Sequence, residues 1–167
     1  MTALQPQAPV LVFRRPYFGS AKGGREDIIW FPSADAFART SYGEIREKIL
    51  QGALFVDVTG MSWRVLDMVD LGRRENWLLW IWNKFHRGDN RFVHYELREE
   101  GPLPFEAIRN RVCTCILRSP DVWCDWRLLG SKGRRSKEVR DVLEAKAAKV
   151  RQATDMRDLF AALDSLT

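Results

Sequence analysis

The order of hydrophobic and polar residues predicts that the chain starts with two short strands. Val10 to Phe13 and Ile28 to Phe31 are apolar runs separated by a glycine-rich loop, and we interpret them as a loose hairpin that Pro32 ends. Ser33 is placed to cap a first helix. The chain therefore begins with β structure and turns to helix near residue 34.

A second helix is predicted from the spacing of Ser41 and Glu44, which matches a capping box. Ile45 and Ile49 lie four residues apart and give this helix an apolar side. Gly52 is well placed to end it in the left-handed conformation.

Alternating residues after this helix predict four antiparallel strands. Leu54 to Val58 leads into a Thr-Gly turn, and Trp63 to Val69 returns from it. Trp77 to Trp82 and Arg91 to Arg98 form a second predicted hairpin. Alternation along the second strand places four residues on one face: Trp63, Val65, Asp67 and Val69.

The last third of the chain has helical periodicity. Pro104 suits the first turn of a helix whose apolar stripe includes Ile108 and Val112. A long helix is expected from about residue 136 to residue 152, and Thr154 is placed to cap a short final helix. The predicted fold class is α+β, an antiparallel meander of about four to six strands packed with an N-terminal helix and C-terminal helices.

Length and composition are those of one globular domain. The chain has 167 residues, of which 46% are hydrophobic and 29% charged, and we expect a single α+β domain over 1–167, with 1–8 disordered. No apolar run approaches the roughly 18–20 residues of a membrane span, so no membrane segment is expected. Three cysteines and no signal-peptide pattern favour the cytoplasm.

The net charge of +5 is concentrated in one segment. Residues 127–151 hold nine basic and three acidic residues, which leaves 18 basic and 19 acidic residues elsewhere. We expect a basic loop at 127–136, and a solvated helix face is the favoured interpretation of the rest. The alternative is a nucleic-acid-binding module in which six residues contact phosphates: Arg127, Lys132, Arg134, Arg135, Lys137 and Arg140.

Residue types with catalytic or metal chemistry form no local signature, so we predict no enzyme activity, no metal and no cofactor. Cys113 and Cys115 point about 200° apart on a helix and cannot share one ion. An enzyme with a dispersed site remains an alternative, for which Asp57, His94 and Glu96 would have to meet in one cleft.

Seven tryptophans are the most informative feature. Most should lie in or beside the core, yet Trp, Tyr and Arg also dominate the energetics of protein interfaces. We therefore predict a noncatalytic protein-binding domain. Its expected contacts lie on the second hairpin: Trp77, Trp80, Trp82, Arg91 and Tyr95. Stacking on single-stranded nucleic acid is the competing use of the same rings.

The order of elements resembles that of small bacterial immunity proteins, the cytoplasmic inhibitors of secreted toxins. The resemblance runs from Ile45 to Val69, through the strand Phe92 to Leu97, to Pro104 to Trp123, and includes the closing helix with Leu159 and Leu163. It implies a noncatalytic protein that binds a cognate toxin and plugs its active site. Inhibitors of basic nuclease toxins tend to be acidic, whereas this chain is basic.

Overall fold

The computed structural model describes residues 5–14, 26–72, 90–133 and 136–166, and the side chains of all of these except 41–43 and 90. These residues form a six-stranded antiparallel sheet and a layer of helices, which confirms the predicted α+β class. Among the described helices, none is long and apolar enough to cross a membrane.

The strands follow one another in the sheet in the order β2-β1-β4-β5-β6-β3. Their bounds are β1 Val10–Arg14, β2 Asp27–Phe31, β3 Arg39–Ser41, β4 Leu54–Asp57, β5 Met61–Gly72 and β6 Asn90–Pro102. The predicted β1–β2 and β4–β5 hairpins are confirmed. β6 pairs with β5 and, at its start, with β3, and the predicted strand 77–82 lies outside the described residues. In the described sheet, β4, β5 and β6 are adjacent in sequence order and form a meander. β3 precedes them in the chain but lies beyond β6, at the edge opposite β2.

Seven helices are described, numbered here in chain order. They are α1 Ala34–Phe37, α2 Tyr42–Arg46, α3 Phe105–Arg118, α4 Pro120–Trp123, α5 Trp126–Lys132, α6 Lys137–Arg151 and α7 Met156–Asp164. Ser33 Oγ accepts a hydrogen bond from the N–H of Ala36, so the expected cap of α1 is present, and Ser136 Oγ accepts one from the N–H of Val139 at the start of α6. A capping side chain satisfies an N–H that the first helical turn leaves unpaired, which fixes where each helix begins.

The sheet curls into a half-barrel because α1 connects its two opposite edge strands. Phe37 of α1 lies in the concave side, with its ring centre 5.8 Å from Phe31 of β2, 5.3 Å from Phe55 of β4 and 4.9 Å from Tyr95 of β6. One side chain thus contacts the edge strand β2, the central strand β4, and β6, which is the neighbour of the other edge strand. The aromatic cluster fills the half-barrel.

Two hydrophobic cores result from the alternation of side chains along each strand. In β1, Val10 and Val12 belong to the concave core, while Leu11 and Phe13 pack against the helices. The helix side of the sheet is covered by α3, α6 and α7, whose buried residues include Val112, Ala147 and Leu159.

Three helix boundaries differ from the prediction. α2 ends at Arg46, six residues before Gly52, although Gly52 does have a positive φ of 77°. The segment 126–132 is helical where a basic loop was expected. The last helix is capped by Asp155, because its carboxylate accepts the N–H of Asp158, while Thr154 binds the Asp158 side chain.

A bulge changes the predicted alternation in β5. The register shifts between Val65 and Asp67, so the bulged strand regains its pairing one residue later. Met68 is therefore buried with Trp63 and Val65, and Val69 is exposed. The prediction that Asp67 and Val69 share the face of Trp63 is wrong.

Candidate functional site

A groove of about 500 Å³ lies between β2 and the short helix α4. Its β2 side consists of Ile28, Ile29 and Trp30, three consecutive residues. Since successive side chains of a strand point to opposite faces, consecutive residues line one cavity only along the strand's edge. The groove therefore runs beside the edge of the sheet.

β2 is an edge strand of the described sheet. Within the described part of the chain it pairs with β1 alone, in register over five residues from Asp27 to Phe31. Edge strands are commonly protected by lysine, proline, a bulge or an inward-pointing charge. β2 has no lysine, proline or bulge, and its one charged residue, the buried Asp27, lies at its start. The N–H of Ile28 donates to Asp27 Oδ1 at 2.8 Å. Beyond that contact the edge offers backbone groups to an incoming chain.

Two stacked tryptophans form the floor of the groove. The rings of Trp30 and Trp123 are 6.2 Å apart and nearly parallel, at 7°. Trp30 Nε1 donates to Asp164 Oδ1 at 2.8 Å, which fixes the orientation of its ring. Lys146 Nζ lies 5.8 Å from the centre of the Trp123 ring and donates to the Leu166 carbonyl at 2.9 Å. The groove is thus apolar with a cation at one wall.

The remaining polar groups of the groove are neutral or already bound. Burial raises the pKa of the Cys124 thiol, which keeps it protonated at neutral pH. Asp125 caps α5, and its Oδ1 accepts the N–H of Arg127 at 2.7 Å. Lys146 and Asp125 are the charged side chains of the lining, and each makes one hydrogen bond to the backbone.

Two exposed apolar side chains lie close to the groove in sequence, and one of them, Val122, lines it. Val122 is 53% exposed and Trp126 75% exposed, and they lie on α4 and at the start of α5. The Arg127 guanidinium lies 5.5 Å from the centre of the Trp126 ring. Tryptophan and arginine are the residues most enriched at the energetic centres of protein interfaces. This patch and the groove are together called the Trp126 surface below.

The contacts predicted on the second hairpin are described only in part. Trp77, Trp80 and Trp82 lie outside the described residues. Arg91 Nη1 is 2.6 Å from Asp70 Oδ2, so its charge is engaged within the sheet. Tyr95 is only 6% exposed, and burial raises the pKa of its hydroxyl. As placed, Tyr95 belongs to the concave core and offers little contact area.

Trp126 was missed although the sequence carries a signal for its exposure. Leu128 and Leu129 of α5 pack against the core. At about 100° per residue, Trp126 then lies about 110° from the direction of the core. A helical projection that began at the Asp125 cap would have placed this ring in solvent.

Of the six predicted phosphate contacts, four are described, and all four are exposed: Arg127, Lys132, Lys137 and Arg140. Lys132 pairs with Glu138 at 3.6 Å, and Arg134 and Arg135 lie outside the described residues. Arg140 and Lys146 are six residues apart on α6, which places them about 120° apart around the helix axis. Lys137 and Arg140 are exposed, but on the flank of α6 away from the groove.

The residues proposed for a dispersed active site are separated. Asp57 is 1% exposed, and its carboxylate accepts hydrogen bonds from the N–H groups of Gln7, Thr59 and Met61. His94 and Glu96 are exposed on β6. Asp57 therefore shapes the β4–β5 turn and does not share a cleft with them.

Two of the cysteines lie on one helix, as predicted. Cys113 and Cys115 are both buried in α3, and burial raises the pKa of Cys115 to about 12. In the described ranges no three His, Cys, Asp or Glu side chains are grouped so that they could hold a metal ion.

A second cavity of about 360 Å³ lies at the mouth of the half-barrel, beside Phe37 and residues 93–97 of β6. β3 covers β6 only as far as Phe92. Beyond it, the N–H of Val93 donates to the Ala38 carbonyl at 2.9 Å, and Glu96 and Arg98 are exposed on β6. In the described part of the chain, β2 and β3 are the two edge strands of the sheet.

Comparison with protein-family models, curated proteins and solved structures found no match to this chain. The class of the protein rests on its own geometry: an α+β half-barrel with an apolar groove at a sheet edge.

Proposed function

We propose that this chain is a noncatalytic protein-binding domain whose partner docks on the Trp126 surface. The observation that carries the proposal is that exposed Val122 lines the groove beside β2, and that exposed Trp126 follows Asp125 of the same lining in the chain. Contiguous apolar surface of this kind marks interaction sites in monomeric proteins. The rigid Trp30–Trp123 stack gives the groove a preformed shape, which lowers the entropy lost on binding.

We further propose that the partner is a bacterial toxin and that this chain is its cytoplasmic immunity protein. The order of elements supports this role: a helix and hairpin (α2, β4, β5), the strand β6, α3 led by Pro104, and the closing helix α7. Three free thiols are compatible with a reducing compartment.

Capture of partners from native cells tests the proposal. The tagged chain is incubated with lysate at about 0.15 M salt, where exposed charges are screened beyond roughly 8 Å, and with nuclease present. We expect one stoichiometric protein that the Trp126→Ala variant fails to retain. Leu71→Ala is the matched control, because Leu71 is an exposed apolar residue of β5 away from the groove.

The toxin role has its own readout. Expression of the captured protein alone should arrest growth, and co-expression of the wild-type chain, but not of Trp126→Ala, should restore it. Retention of the partner by Trp126→Ala to the same extent as by wild type would contradict the proposed surface. A harmless partner would contradict the toxin role and leave the binding surface intact.

Arg127 stacked over Trp126 also favours a second candidate, binding of single-stranded nucleic acid. Here recovery from the lysate should depend on nucleic acid and fall steeply with salt, by about 0.7 in log K per log salt for each phosphate contacted. Loss of all captured material on nuclease treatment would favour this candidate over the protein partner.

A further inference from the structure

We propose that the partner enters the groove as an extended segment that adds to β2 as a seventh strand and presents an acidic side chain to Lys146. This inference rests on the proposed protein-binding function and specifies how the partner is recognised. The proposed partner segment has an extended backbone, apolar side chains, and one carboxylate on the side that faces α4.

The backbone of β2 is the first argument. An edge strand leaves alternate N–H and C=O groups without a strand partner, and only another extended backbone pairs with them in a regular series. The groove is lined by Ile28, Ile29 and Trp30 at this edge, so the space beside it is open. Strand addition is a common mode of peptide recognition, in which the main chain supplies affinity and pockets supply specificity.

The shape of the groove is the second argument. A strand added about 4.8 Å from β2 would point every second side chain toward α4, over Trp123 and Val122. The volume of about 500 Å³ is within the range of specific ligand sites, which runs from roughly 300 to 1,000 Å³. The lining favours aliphatic side chains at these positions.

The charge of the lining is the third argument. Lys146 Nζ donates to the Leu166 carbonyl, and an ammonium group has three N–H donors, so it can accept a further partner. The opposing acid of the lining, Asp125, is bound to the N–H of Arg127. A carboxylate of the added strand that lies beside Lys146 Nζ therefore complements the charge at that wall of the groove.

A designed peptide tests this directly with the protein alone. The probe is acetyl-Thr-Leu-Thr-Glu-Thr-Val-Thr-Lys-amide, whose Leu, Glu and Val share one face when extended. Titrated into the isotope-labelled chain and followed by NMR, it should shift the backbone amides of Ile28 to Phe31 and the Trp30 indole signal. A peptide with proline in place of the Thr before Glu cannot donate that N–H, and should bind much more weakly.

The charge is tested by exchanging both partners. Replacing Glu of the peptide by Gln should weaken binding to the wild-type chain about fivefold, the upper range for a partly exposed ion pair. In Lys146→Met the two peptides should bind equally. Lys149→Met is the matched control, because Lys149 is an exposed residue of the same helix that does not line the groove.

The outcomes separate this inference from the proposed function. Partner capture that depends on Trp126, with no peptide-induced shift at β2, would overturn strand addition and leave the protein-binding function standing. Shifts at β2 with no partner captured from cells would support strand addition and contradict the proposed function. Concentration-dependent shifts of the same amides without peptide would show that a second copy of the chain occupies the edge, and would overturn the inference.

Discussion

Replacement of Asp57 distinguishes a structural carboxylate from a catalytic one. The side chain is almost completely buried at the end of β4. Its Oδ1 accepts the N–H groups of Thr59 at 2.9 Å and Met61 at 3.1 Å, and its Oδ2 accepts that of Gln7 at 3.0 Å. The carboxylate thus joins the β4–β5 turn to the segment that leads into β1.

Asp57→Ala leaves these three N–H groups without their acceptor. A buried polar group that loses its partner costs about 1–3 kcal/mol, and since these sites are partly buried we take the lower value for each. The sum is about 3 kcal/mol of unfolding free energy. For a domain of this size 1 kcal/mol shifts Tm by about 2–4 °C, so Asp57→Ala should lower Tm by about 6–12 °C.

Asp57→Asn provides a graded version. The amide keeps the oxygen that serves Thr59 and Met61 but turns an NH₂ toward the N–H of Gln7, so one hydrogen bond is lost and Tm should fall by about 2–4 °C. Asp67→Asn is the control, because its carboxylate is 40% exposed and its pair with Lys48 is worth less than about 1 kcal/mol.

Thermal unfolding followed by circular dichroism measures all three variants. A Tm of Asp57→Ala within about 2 °C of wild type would refute the structural role, since a shift of that size corresponds to no more than about 1 kcal/mol. If such a stable variant also lost a measurable activity, the dispersed enzyme site would become the better hypothesis.

Three further changes have defined outcomes. Burial raises the pKa of Asp27 above 3.8, so its contribution to stability is present below that pH and lost as the pH rises through the raised pKa. Asp27→Asn keeps an acceptor for the N–H of Ile28. In urea unfolding, its free energy of unfolding should therefore be no lower than that of wild type at pH 7, and it should show no gain over wild type at pH 3.5. Phe37→Ala removes the ring that fills the half-barrel and should cost about 2 kcal/mol in urea, less than for a fully buried ring. A thiol reagent at pH 8 should modify Cys124 before Cys115, whose pKa is about 12, and equal rates would contradict the burial of α3.

Local signals in the sequence predicted those elements whose ends are set by neighbouring residues. Ser33 and Ser136 cap helices through their own hydroxyl groups, and these boundaries were correct. The apolar runs of β1 and β4 are buried strands as expected, and that of β2 is a half-buried strand. In each case the energy that fixes the element comes from residues within one turn or one strand.

The features that define the candidate site depend on contacts distant in sequence. The residues Asp27 to Phe31 do not themselves indicate that β2 lies at an edge. The edge position follows from the strand order, in which β1 pairs with β2 on one side and with β4 on the other. The bulge after Val65 reverses the alternation of β5 and arises from pairing with β6. Trp126 differs, since its exposure follows from the helical spacing to Leu128 and Leu129.

The positive charges beside the groove bear on the kind of target that this chain would bind as an inhibitor. Inhibitors that meet basic toxins are expected to be acidic, yet Lys146 borders the groove and Arg127 lies over Trp126. The proposed surface therefore suits a target segment that is acidic at its docking point, whatever the charge of the rest of the target. Arg140, on the other flank of α6, is too far around the helix to contribute to the same contact. Reversing its charge should leave the off-rate of the partner unchanged, whereas Lys146→Glu should raise it, because a repulsive pair would then lie inside the groove.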